Sequence, residues 1–189
     1  MRIIAGTQKG RVLQSPTWDG LRPTSDRLRE TLFNVLGAEV DGARVLDVCA
    51  GTGAIALEAL SRGAVAATCL ESDARAVALI TANAALCGFS KRCMIVRGSA
   101  PEALTAGRLG GPFDLIVLDP PYAAPWLDAA VGAAAALLGP GGRLALEHAA
   151  KRPAPDIAGL TLERTRRAGD SALSTYRAAT GNGRGAQHP

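Results

Sequence analysis

From about Ala43 onward the chain alternates short apolar runs, each closed by a turn signal, with longer segments of helical period. No other feature restricts the fold as much. Strands and helices in alternation bury their apolar faces together as a parallel sheet wrapped by helices. The strand candidates are Arg44 to Val48, Ala66 to Leu70, Met94 to Arg97, Leu115 to Leu118 and Arg143 to Glu147. Helical stretches lie between them at Ala54 to Ser61, Ala74 to Leu86, Pro101 to Ala106 and Trp126 to Leu138. Two later segments, Leu160 to Arg166 and Ala172 to Ala178, alternate as antiparallel strands do, with Gly169-Asp170 marking the turn between them.

Ahead of the sheet, "RPTSDRLRETLFNVL" predicts a helix with Leu28, Leu32, Val35 and Leu36 on one face and Thr24 or Ser25 as its cap. Met1 to Gln14 carries two apolar clusters around Gly6 to Gly10 and reads as a small basic hairpin. The terminal "GNGRGAQHP" has no packing residues and is expected to be a disordered tail. The expected organisation is therefore a basic hairpin and helix over residues 1–40, packed on a main domain at 41–180, with a tail at 181–189. At 189 residues and 48% hydrophobic content, a single domain is the expectation.

The net charge of +4 and pI near 9.2 suit an acidic partner such as RNA without requiring one. Arg2, Lys9 and Arg11 sit in a stretch free of acids, and Arg164, Arg166 and Arg167 form a second basic cluster; each is either a phosphate-facing patch or a solvated face. Cys49, Cys69, Cys87 and Cys93 make no C-x-x-C pair, and with two histidines in the chain no zinc-ligand spacing can be assembled. We therefore expect thiols in a reducing compartment and no metal. The Ala-rich run from Leu127 to Leu138 is too short to span a bilayer and no signal peptide opens the chain, so a soluble cytoplasmic protein is expected, monomeric by default at this size.

"VLDVCAGTGAIALEAL" ends a strand at Asp47, turns through Gly51-Thr52-Gly53 and enters a helix. Glycines there let the backbone turn sharply and approach a ligand, while the helix presents free N–H groups. Glu71 ends the next strand 18 positions after Gly53, where an acid can accept both hydroxyls of a ribose. The loop and Glu71 thus call for a nucleoside cofactor. Either an adenosyl group or a dinucleotide fits, since Ala56 suits the third small position of a dinucleotide fingerprint.

Asp119-Pro120-Pro121-Tyr122 closes the fourth strand, and in a doubly wound sheet the carboxyl ends of the strands line one crevice. The Asp119 carboxylate and the Pro120 carbonyl can accept the two N–H bonds of an exocyclic base amine, whose lone pair is otherwise delocalised into the ring. Tyr122 can stack on the base. The two prolines hold the turn, because their fixed φ and missing N–H leave it few alternatives.

With both motifs in view, the chain resembles the class I S-adenosylmethionine-dependent methyltransferases that act on base amines, and more closely the RsmD-type family that methylates guanine N2 in small-subunit (16S) ribosomal RNA. The similarity runs from "MRIIAGTQKGRVL" through "LRPTSDRLRETLFNVL" and "LDVCAGTGAIALEALSRGA" to "DPPY". Arg22-Pro23-Thr24 with Arg27, Glu30 and Phe33 matches the N-terminal signature of that family. The resemblance implies a Rossmann-like α/β fold: a mostly parallel seven-stranded sheet flanked by helices, with a small N-terminal hairpin and helix.

The resemblance also implies a site. Asp47, Gly51 and Gly53 would hold the methionine part of S-adenosylmethionine and Glu71 its ribose, with Ala50, Thr52, Ser72, Ser99 and Ala100 completing the cofactor set. Ser99 stands where an Asp or Asn often reads the adenine amine. Asp119, Pro120, Pro121 and Tyr122 would hold the target base. Arg2, Lys9, Arg11, Arg22 and Arg27 are the candidates for contacts to ribosomal RNA, naked or in an assembled small-subunit particle. No metal is required by this chemistry.

Three other readings compete. An adenine-N6 or cytosine-N4 methyltransferase acting on DNA or RNA would use the same clamp, although no target-recognition domain is visible in the 189 residues, which argues against a sequence-specific DNA enzyme. An NAD-dependent oxidoreductase would use the glycine loop and Glu71 and leave the clamp unexplained. A non-catalytic RNA-binding assembly factor would retain the fold alone.

Overall fold

The structure is a computed structural model that describes residues 1–18, 26–122 and 124–180, with backbone alone for Asp26 and Arg27. The parallel part of the sheet is built from β1 (Arg44–Val48), β2 (Ala66–Glu71), β3 (Cys93–Arg97), β4 (Phe113–Leu118) and β5 (Leu138–Ala149). Two antiparallel strands, β6 (Leu160–Ala168) and β7 (Ser171–Ala178), complete it. The order is β3-β2-β1-β4-β5-β7-β6. It reverses between β1 and β4, which opens the crevice at their carboxyl ends where ligands bind in such sheets.

Period-two alternation places a different core on each face. Val45, Ala67, Leu115 and Val117 pack toward α2 (Ala54–Ser61) and α3 (Ala74–Leu86). Leu46, Val48, Ile116 and Leu118 pack toward the short α4 (Glu102–Thr105) and α5 (Leu127–Ala135). Among the described residues no helix is long and apolar enough to cross a membrane.

The first residues form a hairpin: Ile3 N–H donates to Arg11 O at 2.9 Å and Leu13 N–H to Met1 O at 3.1 Å. It docks on α2, which explains why all eight residues of AIALEALS are buried. The sheet covers one side of that helix and the hairpin the other. Glu58 anchors the contact, its carboxylate accepting from Ile4 N–H at 2.7 Å and Ala5 N–H at 3.0 Å. Gly6, at φ +81°, is required there because a Cβ would stand 1.8 Å from the Ser61 carbonyl oxygen.

The preceding helix, α1 (Asp26–Leu36), turns Arg29, Leu32, Phe33 and Leu36 inward, an i, i+3, i+4, i+7 stripe. Phe33 and Arg29 thus join the buried face, and Leu28 and Val35 of the expected stripe are only half-buried. Arg29 is fully buried, lies 3.8 Å from Glu58 and donates to the carbonyl of Arg2 at 2.9 Å. The proposed caps Thr24 and Ser25 and the 181–189 tail lie outside the described residues.

The sequence-derived elements agree with the structure in kind and differ at ends. The last long helix stops at Ala135, and β5 starts five residues before Arg143. Phe113 N–H donates to Leu137 O at 3.0 Å, which draws Leu138 into the ladder before a bulge of Gly139 to Gly142.

Candidate active site

Asp47 sits at the end of β1 and is 1% exposed. Its Oδ2 accepts the Ala56 N–H at 3.1 Å, from the third residue of α2, while Oδ1 is buried with no hydrogen-bond partner among the described residues. Burial, with the neighbouring Glu71 carboxylate adding to it, pushes the Asp47 carboxyl up to about 7. An orphaned acceptor at that position is what a ligand's donor group would satisfy.

The loop after Asp47 is held rigidly. Cys49 and Ala50 N–H groups both donate to Leu70 O, at 3.0 and 3.1 Å, and Cys49 adopts φ 63°, a left-handed conformation unusual for a side-chain-bearing residue. Gly53 leads into α2 at φ 76° with no side-chain cap, leaving the helix N-terminus open; a Cβ there would meet Ile80 Cγ2 at 2.9 Å. Thr52 is buried, and its carbonyl accepts from Asn83 Nδ2 at 3.1 Å. The same Asn83 side chain pairs with Gln14, donating to its O at 3.1 Å and accepting its N–H at 2.8 Å.

Glu71 at the end of β2 accepts the Gly51 N–H on Oε2 at 2.8 Å. Its Oε1 takes the Ser72 and Asp73 N–H groups at 2.7 and 2.9 Å. Oε1 is therefore fully engaged, and Oε2 is the oxygen with a lone pair left for a ligand hydroxyl. Glu71, Ser72, Ser99 and Ala100 line one cavity of about 110 Å³, together with Cys49 and Trp126.

Asp119 follows β4 directly, and its N–H donates to Val48 O at 3.3 Å, so the fourth strand's tip is still laced to the first. Cys49, next to the Val48 that holds Asp119, lines the cavity with Glu71. Burial pushes its thiol up to about 12, with the carboxylates of Glu71, Asp47 and Asp119 each adding in that order. Cys49 therefore stays a neutral thiol rather than a nucleophile.

Pro120 is buried, Pro121 exposed, and Tyr122 is 37% exposed. The Tyr122 hydroxyl donates to Glu147 Oε1 at 3.0 Å and makes a short contact with Ser171 Oγ. The ring is therefore pinned at its outer end by β5 and β7. Neither Glu147, Ser171 nor Trp126 was expected as a site residue. An acid closing the fifth parallel strand, and a tryptophan in the same quoted stretch as Asp119, were the signals available.

The basic hairpin residues Arg2, Lys9 and Arg11 are all exposed. They differ in position along α2. Met1 lies by Thr52, whereas the hairpin tip packs on Ser61, the other end of a helix about 12 Å long. Arg22 and the side chain of Arg27 lie outside the described residues.

A family model described as conserved hypothetical protein 95 matches residues 1–177, nearly the whole of the sheet and both motifs. The chain belongs to that family, the RsmD-type methyltransferases. Among its relatives, Ribosomal RNA small subunit methyltransferase D of Escherichia coli is 45% identical over 124 residues, 65% of this chain and 60% of that one. YlbH of Bacillus subtilis, described as a candidate rRNA methyltransferase, is 37% identical over 123 residues, 65% of this chain and 67% of its own length. The match therefore spans about two thirds of these curated relatives. The solved Escherichia coli structure of yhhF, described as a candidate methyltransferase, superposes with a TM-score of 0.86 at 31% identity, covering 95% of this chain and 98% of that one. The expected Rossmann-like class I methyltransferase fold is the observed one.

Proposed function

We propose that this RsmD-type chain is an S-adenosylmethionine-dependent methyltransferase of small-subunit (16S) ribosomal RNA that modifies the exocyclic N2 amine of a guanine. The observation that carries the reading is that β1, β2 and β4 lie side by side with Asp47, Glu71 and Asp119 at their carboxyl ends, Asp119 N–H bonded to Val48 O and Glu71 sharing a cavity with Cys49, which supports a cofactor pocket and an amine clamp in one cleft. The residues present suit the cofactor. The unpartnered Asp47 Oδ1 and the open start of α2 can take its methionine end, Glu71 Oε2 a ribose hydroxyl, and the cavity beside Ser99 and Ala100 its base. When bound, S-adenosylmethionine supplies an electrophilic methyl group on a sulfonium.

The chain's own contribution is positioning. The Asp119 carboxylate and the Pro120 carbonyl accept the two N–H bonds of the amine and aim its lone pair, and the negative charge of Asp119 favours the positive charge that develops on nitrogen. Asp119 then takes up the released proton directly or passes it to water. Tyr122 supplies a stacking face whose angle is set by Glu147 and Ser171. Near-attack positioning of this kind accounts for roughly 7 to 11 kcal/mol of barrier reduction. The target nucleotide must leave its stack to reach the clamp, so the substrate is an exposed or extrudable base in RNA or an assembled particle. Arg2, Lys9, Arg11, Arg22 and Arg27 are the candidate phosphate contacts, and the cytoplasm is the compartment that such a substrate requires.

Incubating the protein with labelled S-adenosylmethionine and small-subunit particles, then digesting the RNA to nucleosides, tests the reading. Label in N2-methylguanosine is expected. Label in N6-methyladenosine or N4-methylcytosine would transfer the clamp to another base, and cofactor binding without any labelled RNA would overturn the substrate.

A further inference from the structure

We propose that the outer edge strand β6 is the track along which the RNA backbone reaches Tyr122, with Arg164, Arg166 and Arg167 as its phosphate contacts; this rests on the RNA substrate proposed above. Every residue from 161 to 170 is exposed, so β6 contributes little to the core. Its cations are also unneutralised. Arg143 and Arg177 are bound by Glu39 and Glu163, and Arg152 by Asp128, whereas among the described residues Arg164, Arg166 and Arg167 have no acid partner. Glu163, the one acid on the strand, is already used by Arg143 at 3.1 Å and Arg177 at 2.9 Å.

The register connects this charge to the site. Arg166 pairs with Leu173, and Leu173 pairs with Glu147, so the three form one row across the sheet. Side chains in a row share a face. Arg166 therefore stands on the same face as Glu147, the acceptor of the Tyr122 hydroxyl, two strand spacings or about 10 Å away. Arg164 is the next residue on that face, about 7 Å further along the strand. Arg167 projects to the opposite face, where it can reach phosphate from the other side of the edge. The strand then turns at Gly169-Asp170 into Ser171, which itself touches Tyr122.

Guanidinium groups match phosphate oxygens bidentately, and a row of them on an extended edge holds a backbone without reading sequence. An RNA strand so held would arrive at the clamp edge-on. The simpler role for charges here is to stop the edge from pairing with another strand.

The test compares the wild-type protein with R164Q/R166Q/R167Q, R164K/R166K/R167K and R2Q/K9Q/R11Q in binding to transcribed small-subunit ribosomal RNA across a salt series. The glutamine variant on β6 should lower the slope of log K against log salt by about 2, given roughly 0.7 to 0.9 per phosphate contact. It should raise KM for RNA at least tenfold while kcat and S-adenosylmethionine affinity stay at wild-type values; the lysine variant should keep the wild-type slope. Wild-type affinity and slope in R164Q/R166Q/R167Q would overturn the track and leave edge protection as the role of these charges. A wild-type protein that binds the RNA without salt dependence would overturn the RNA reading together with the track.

Discussion

The hydroxyl of Tyr122 donates to Oε1 of Glu147 at 3.0 Å, so the loop after the fourth strand is tied to the end of the fifth. Two residues 25 positions apart thereby tether the aromatic ring of the proposed clamp. If that ring stacks on the target base, Tyr122→Ala should lower kcat/KM for RNA by roughly 1 to 3 kcal/mol, or about 5- to 150-fold, the range for one base–aromatic contact. Tyr122→Phe keeps the face and loses the tether, so its effect should be smaller, and S-adenosylmethionine affinity should not change in either variant.

The raised carboxyl of Asp47 makes stability depend on pH. With its folded-state value near 7 against an ordinary 3.8, the native protein retains a proton that the unfolded chain has released. Stability from this group is therefore full below about pH 4, declines as pH rises toward about 7, and is flat above it. The decline is at most about 1.4 kcal/mol per pH unit, the limit for one proton. Denaturant titrations from acid to neutral pH should show a shallower decline in Asp47→Asn than in the wild type. A cofactor ammonium brought beside Oδ1 would favour the charged form, so binding of S-adenosylmethionine near pH 6 should release a proton.

Asn83 links the N-terminal segment to the cofactor loop through Gln14 and Thr52. Asn83→Asp leaves the acceptor that holds Gln14 N–H but turns the donor into an oxygen facing two carbonyls. It should destabilise the protein more than Asn83→Ala, at about 1 to 3 kcal/mol for each buried group left unsatisfied. Both variants should weaken S-adenosylmethionine binding, measured by calorimetry, because the Thr52 carbonyl loses its anchor.

Glu58 is the fully buried acid of a helix whose sequence is otherwise apolar or small. It takes two hairpin N–H groups, lies 3.8 Å from the buried Arg29 and pairs with Arg62 at 2.7 Å. Glu58→Gln removes the buried carboxylate charge that faces both Arg29 and Arg62, and a loss of about 3 to 5 kcal/mol in unfolding free energy is expected, read from denaturant melts.

The arrangement proposed for the cofactor was legible because its signals are local: an acid at a strand end, glycines at the turn, and an acid ending the next strand fall within one stretch of chain. Asp119 was legible for the same reason. What completes the proposed clamp was not. Glu147 and Ser171 reach Tyr122 only through the register of β5 with β7, and Trp126 reaches the cavity proposed for the cofactor only once α5 has folded back beside Cys49 and Ser99. AIALEALS is buried all round in the structure, yet nothing near it in sequence told which segment covers its outer side; that is the hairpin, held through a glutamate that an amphipathic reading would assign to solvent.

The most direct measurement is the effect of Asp119→Ala on turnover and on cofactor affinity in parallel, using small-subunit particles as substrate. If Asp119 grips the target amine, kcat should fall by about 10²- to 10³-fold, the loss seen when a preorganised transition-state contact is removed. The dissociation constant for S-adenosylmethionine should stay within about threefold of wild type, a difference below 1 kcal/mol. Equal losses in both would contradict the account, because Asp119 would then belong to the cofactor pocket rather than to the clamp.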